Sequence, residues 1–394
     1  MTTNKQFTKY LAHDEDLVQS VYVGSESDYA VIPELKKRGT KRILFMCDSI
    51  TRRQREFDII IDRYKDAGFR VFVYCRVDSY TTNRDVEGGL KIYREYNCDT
   101  IFVVGGNADI YCAKLVAARA SDPEKDLSMF VGINKIKRKK TCIVCLATIC
   151  NVAVSDSYSV YYDTNNNTLN FLVSNKLIPD IALLGSDLFM RNSMDEINRS
   201  ILMSLCTGIE SYLSDYTDRY VEYKACALNS CLGFLNTIDK FINNTSKTYY
   251  QEKLLVAGYY AGIASRKAGI GAARIIMHVL INMYGMEYRL MLDEYFPQVI
   301  QAMMALDNHG LADLSRKTYF STMSSDDKNA SQALLDGLFR IYKKAGTKKN
   351  KYVISSKDVN KLESMIVKEL NVYGLNGILS SKSIYQILSP YIVD

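Results

Sequence analysis

Between residues 41 and 146 the chain alternates short β-branched and aromatic runs with stretches of helical period, and that alternation admits few folds. The runs at 41–47, 70–75, 100–104 and 141–146 read as strands, and the stretches at 53–68, 83–96 and 108–119 between them read as helices. A strand, a helix and a second strand at this spacing form a βαβ unit, because the helix carries the chain back along one face of the sheet and the next strand then runs parallel. Strands covered on both faces have to be apolar almost throughout, and these runs are. The first ends at Asp48 and the third breaks at Gly105 and Gly106.

After about residue 178 the pattern changes. From 194 to 394 the sequence is helical in period, punctuated by Gly and Asn, with Pro297 the one proline before Pro390. A chain of 394 residues also exceeds the roughly 250–300 at which a single core stops growing. The expectation is therefore α/β plus all-α: a Rossmann-like parallel-sheet domain over 1–177, then an all-helical domain over 178–394. An apolar fraction of 47% and a charged fraction of 24% belong to an ordinary water-soluble protein. No apolar run reaches the ~18 residues of a membrane span, and the start, Met1 to Gln6, lacks the pattern of a signal peptide, so a cytoplasmic protein without membrane contact is expected.

The ten cysteines show no framework spacing, and Cys142 and Cys145 sit in a strand-like run that sends their side chains away from a common side; buried reduced thiols are expected. The net charge of +6 comes largely from two basic runs, 135–140 and 343–351. Neither is interleaved with aromatics, so both read as solvated loops and not as a nucleic-acid surface.

Glycines directly after a parallel strand let a pyrophosphate approach the backbone, with the next helix offering free N–H groups and its positive dipole end. Gly105 and Gly106 meet that description, and a plain tight turn is the competing reading. Asp48 has two readings as well: a hydrogen-bond acceptor for an adenosine ribose, or a cap for a helix starting near Ser49 and Thr51. Farther on, Ala268-Gly269-Ile270-Gly271 opens an apolar helix that carries Arg274 and His278 one turn apart on one face, with Tyr288 ten residues beyond.

Taken in order, six segments resemble the iron-containing, group III alcohol dehydrogenases of the dehydroquinate synthase-like fold, over nearly the whole chain. The segments are 21–48, 98–114, 178–184, 205–212, 268–271 and 376–384. Residues 105–114 resemble the family's Gly-Gly-Gly-Ser-Pro-x-Asp-x-Ala-Lys, 205–212 its Asp-x-x-x-His-Ala-x-Glu-x-Tyr helix, and 268–271 its Ala-Gly-Leu-Gly. The resemblance implies NAD(P) binding by the first domain, a metal held by an aspartate and three histidines, and a homodimer. Carried onto this chain, the four ligand positions are Met203, Thr207, Arg274 and Tyr288, none a good ligand for a divalent cation. With histidine only at 13, 278 and 309, a replacement set is hard to build.

The phosphate-binding segments depart from the family too. Gly105, Gly106 and Lys114 match, but Asn107, Ala108 and Tyr111 replace a Gly, the Ser and the Asp, and a strand-like stretch at 147–154 replaces a Gly-rich loop. The resulting expectation is a chain without a catalytic metal and without a bound cofactor, NAD(P) through Asp48, Gly105, Gly106 and Lys114 being the alternative. His278 aligns with a histidine that lines the family's cleft, and Glu210 is a candidate partner for Arg274. Two functions remain open: a pseudoenzyme or binding protein, or an oxidoreductase or other metal-independent enzyme. In the second, Arg274 clamps a small anionic ligand in the inherited interdomain cleft, with Tyr288 and His278 as acid and base.

Overall fold

A computed structural model describes residues 8–11, 18–76, 79–189, 192–287, 292–306, 308–346 and 352–393. It separates into two compact units, residues 1–193 with 244–263, and residues 194–243 with 264–394.

The first unit is built on strands β1 (Thr8–Leu11), β2 (Ser20–Val23), β3 (Arg42–Asp48), β4 (Arg70–Arg76) and β5 (Thr100–Gly105), then β6 (Gly132–Ile133), β7 (Cys142–Ala147), β8 (Tyr158–Asp163), β9 (Thr168–Val173) and β10 (Ile181–Leu184). Its main sheet has the order β1-β2-β10-β7-β5-β3-β4, antiparallel only at the β1–β2 edge. All four expected strands lie in its parallel part. Along β3 the interior residues are buried without alternation, as a strand covered on both faces requires. Phe45 on β3 stacks on Phe102 of β5 at 4.6 Å between ring centroids.

The sheet is flanked by α1 (Ser27–Ala30), α2 (Ile32–Lys37), α3 (Ser49–Arg52), α4 (Arg55–Asp66), α5 (Asn83–Glu95) and α6 (Asn107–Ser121). Helix α4 buries Phe57, Ile60, Ile61 and Tyr64, the i, i+3, i+4, i+7 stripe of a helix lying on a sheet. Helix α5 starts at a reciprocal cap, with the Thr82 side chain accepting from Asp85 N–H and Asp85 accepting in return from Thr82 N–H. Helix α6 is buried on nearly every side and carries no amphipathic stripe. The chain runs from β3 to β4 on one side and then from β4 to β5 on the other side of β3. The order therefore reverses between β3 and β5, and the carboxyl ends of these strands flank the switch point where α/β sheets bind ligands.

A second, three-stranded sheet, β6-β9-β8, has no counterpart in the sequence expectation. It is a hairpin of β8 and β9 turned through Asn165, Asn166 and Asn167, with Asn167 at φ +55°, and β6 added parallel to β9. Asn-rich turns between alternating runs are the chemistry of such hairpins.

The second unit holds α7 (Met194–Leu213), α8 (Asp215–Asp218), α9 (Val221–Leu235) and α10 (Ile238–Asn243). Helix α11 (Thr248–Ala268) contributes to both units, and the second also holds α12 (Ala272–Tyr284), α13 (Leu292–Leu306), α14 (His309–Lys317), α15 (Asp327–Ala345), α16 (Val359–Val372) and α17 (Ser381–Leu388), with a short parallel pair, β11 (Ile354–Ser355) and β12 (Ile392–Val393), that the all-helical expectation lacks. Within it α7 packs on α9, and α12 packs on α16 and α13. Among the described residues no helix is long and apolar enough to cross a membrane.

Candidate functional site

In the first unit the carboxyl ends of β3, β4 and β5 bring Asp48, Arg76, Gly105 and Gly106 together. Asp48 caps α3: its Oδ1 accepts the Thr51 N–H at 2.6 Å, the second of its two sequence readings. Gly105 and Gly106 form a sharp turn whose cap is supplied from inside α6, since Asp109 Oδ2 accepts the Gly106 N–H at 3.1 Å. A side chain on Gly105 would collide with that carboxylate. Arg76 reaches Asp109 through Nε at 3.0 Å and Nη2 at 2.9 Å, and both side chains are buried. Burial pushes the Asp109 carboxyl up to about 6, and the Arg76 charge only partly offsets it. Sequence pattern does not single out this pair. The available signal is the acidic residue three positions after Gly106, the spacing of a reciprocal helix cap.

The stretch 147–154 is not strand-like beyond Ala147. It is a buried turn held by Asn151, whose Oδ1 accepts the Val154 N–H at 3.2 Å and whose Nδ2 donates to Ile149 O at 2.9 Å. Asn side chains that bond their own backbone compete with strand pairing, and here they prevail. The turn lies on the glycine pair: Thr148 N–H donates to Gly105 O at 3.1 Å, Ala153 N–H donates to Asn107 Oδ1 at 3.3 Å, and a Cβ on Gly106 would stand 3.1 Å from Ile149 Cδ1. Its far side packs on α11, where Gly258 and Gly262 admit the backbone of 150–156 so closely that a side chain at either would collide with it. Ser155 donates to Tyr259 O at 2.6 Å. Gly258 and Gly262 stand one helical turn apart, a small-residue spacing readable in sequence, although it does not name the loop that uses it.

Lys114 lies inside this arrangement and is fully buried. Its Nζ forms an ion pair with Asp156 and donates to Asp156 O at 3.0 Å and Tyr158 O at 3.2 Å, while Tyr111 donates to Asp156 Oδ2 at 3.2 Å.

In the second unit, Gly271 precedes α12 at φ +91°, where glycine alone is comfortable, and a side chain there would collide with Glu210. Glu210, buried on α7, accepts the Ala273 N–H at 3.0 Å and so satisfies a donor of the first turn of α12. Burial raises the Glu210 carboxyl, against the pull of the Ala273 N–H and the nearby Arg274 charge. Arg274 reaches a carried-over ligand position on α7: its Nη2 donates to Thr207 Oγ1 at 2.7 Å, and Thr207 donates onward to Met203 O at 3.0 Å. Arg274 and Thr207 are both buried. Thr207, Glu210 and the 268–272 loop line a cavity of about 10 Å³, room for one water molecule. His278 is buried one turn farther along α12, with Nε2 2.9 Å from Asn282 Nδ2 and Nδ1 3.7 Å from Glu369 Oε2. Tyr288 lies outside the described residues. The structure thus joins Met203, Thr207 and Arg274, and gives His278 a separate set of neighbours.

A doubly wound parallel sheet with a glycine turn at its switch point, accompanied by a helical unit, is an architecture shared with solved iron-containing alcohol dehydrogenases. The iron-containing alcohol dehydrogenase family matches the chain over residues 19–186. The chain is 21% identical to the 1,3-propanediol dehydrogenase of Citrobacter freundii over 329 residues, covering 82% of this chain and 84% of that protein. It is 19% identical to the NAD-dependent methanol dehydrogenase of Bacillus methanolicus over 266 residues, 67% and 69% of the two chains. A solved 1,3-propanediol oxidoreductase superimposes with a TM-score of 0.83 at 18% identity, over 98% of this chain and 100% of that one.

This likeness corrects one expectation. A chain with no cofactor and no catalytic metal is not what the family predicts, because its members are NAD(P)- and iron-dependent alcohol dehydrogenases. At the carried-over positions, however, the described side chains do not fit either group as a ready seat. Ile149 lies against the glycine turn, and the Gly106 N–H is engaged by a carboxylate. A guanidinium hydrogen-bonded to a threonine supplies no lone pair for a divalent cation, and no group of three or more His, Cys, Asp or Glu that could hold a metal occurs among the described residues.

Proposed function

We propose that this chain is a pseudoenzyme of the iron-containing alcohol dehydrogenase family, a binding protein on a dehydrogenase scaffold that no longer turns over alcohols. The observation that carries the reading is the buried Arg274–Thr207 hydrogen bond of 2.7 Å, which links two of the positions that the family resemblance assigns to metal ligands. Alcohol oxidation needs a developing alkoxide held beside the hydride acceptor, and in the family a metal ion supplies that stabilisation, worth several kcal/mol of barrier. A guanidinium engaged by a neutral hydroxyl and buried inside α7 and α12 is placed for structure. The glycine turn, its Gly106 N–H engaged by a carboxylate, points the same way.

The test is steady-state oxidation of methanol, 1,3-propanediol and butanol by the purified chain, with NAD⁺ or NADP⁺ and with ferrous or zinc ion supplied. The reading predicts no protein-dependent formation of reduced nicotinamide. Saturable turnover with any of these pairs would overturn it.

A further inference from the structure

At the opposite edge of the main sheet, where the parallel strands begin, the first unit carries an open concavity of about 620 Å³. Small-molecule sites fall in the range of roughly 300–1,000 Å³, so it has the size for a ligand. Its wall includes Arg38, Lys139, Lys140 and Lys176 and two carboxylates, Asp99 and Asp180. Both carboxylates are engaged by the fold. Asp99 accepts the N–H groups of Lys41 at 3.0 Å and Arg42 at 3.1 Å, and Asp180 accepts the Ile143 N–H at 2.8 Å. This edge therefore already holds anions on the first N–H groups of its strands.

The cations divide into two pairs. Arg38 is bound to Glu34 at 2.8 Å and Lys139 to Asp180 at 2.9 Å. Lys140 and Lys176 are exposed and make no ion pair with any described residue. Lys140 belongs to the basic run 135–140, which is pinned along its length: Ile136 is buried with its carbonyl accepting from Ser174 Oγ at 3.2 Å, Lys139 donates to Ile178 O, and the Lys140 N–H donates to Ser121 Oγ at 3.0 Å. A loop tied at three points presents its uncommitted charge to the concavity in a fixed place.

We propose that this concavity binds a small polyanion, a molecule bearing two or more phosphate groups, with Lys140 and Lys176 as its principal contacts. The site lies on the amino ends of the strands, at the end of the sheet away from Gly105, and is independent of the pseudoenzyme reading.

The experiment is calorimetric titration of the full chain with inorganic tripolyphosphate at low ionic strength, where exposed charges are least screened. Three proteins are compared: wild type, Lys140→Ala/Lys176→Ala, and a control, Lys343→Ala/Lys344→Ala, at the end of α15. The expected result is saturable one-to-one binding that the first double substitution weakens by about tenfold or more and the control leaves unchanged. Undetectable binding to wild type, equal weakening in both variants, or binding that survives loss of Lys140 and Lys176 would each overturn the proposal. The last would place the phosphates elsewhere, the glycine turn included.

Discussion

Two side chains bear most of the argument at the residue scale. Arg274 is a buried cation whose guanidinium is held by the Thr207 hydroxyl; burial raises the neighbouring Glu210 carboxyl, and the Arg274 charge opposes that rise. Replacing it by alanine removes a charge-assisted hydrogen bond from the interior, and the expected loss is about 2–3 kcal/mol in urea unfolding. An unchanged unfolding midpoint would mean that Arg274 is not structural. Asp109 gives a pH signature. Its carboxyl sits at about 6 in the folded chain against 3.8 for an ordinary aspartate, so between these values the folded state holds a proton that the unfolded state has released. Its contribution therefore favours the folded state at the acid end of that window and is lost as pH rises through about 6. Comparing wild type with Asp109→Asn between about pH 4 and pH 6.5 isolates the effect, and identical slopes for the two proteins would refute it.

At the scale of elements, the join between α7 and α12 depends on Gly271. Its φ of +91° and the Glu210 carboxylate against it leave no room for a methyl group. A Gly271→Ala protein is expected to lose about 1–3 kcal/mol, read from its thermal midpoint, and a neutral result would contradict the capping role given to Glu210. The sequence makes Gly271 visible as part of Ala-Gly-Ile-Gly but does not show what presses against it. The same division runs through the first unit. Strands β3, β5 and β7 are legible because burial on both faces leaves a continuous apolar run, and the half-buried edge strand β4 because its run is β-branched and aromatic. The hairpin of β8 and β9 is missed although its Asn165–Asn167 turn is in plain view, because its strands mix Tyr, Asn and Ser with apolar residues. The 147–154 segment misleads for a related reason: β-branched residues suggest a strand, while Asn151 and the access granted by Gly258 and Gly262 fold it into a turn. That outcome depends on a helix about 100 residues farther along the chain, which no local pattern encodes.

Over the whole molecule, the six ordered segments resemble the family, and the fold matches a solved 1,3-propanediol oxidoreductase at a TM-score of 0.83. A shared fold does not carry chemistry with it, since function resides in particular side chains. Here the relevant ones are Arg274, Thr207 and Met203 in the helical unit and the glycine turn in the sheet unit. The contacts that define both places are long-range in sequence, which is why residue identities at 203, 207 and 274 suggest a change of chemistry without showing what replaces it. The most direct test is a single-turnover reaction with protein in excess over reduced nicotinamide, butyraldehyde and ferrous ion, followed by nicotinamide absorbance. The pseudoenzyme account predicts a trace that matches the protein-free control. A protein-dependent decay that consumes the nicotinamide stoichiometrically would contradict it.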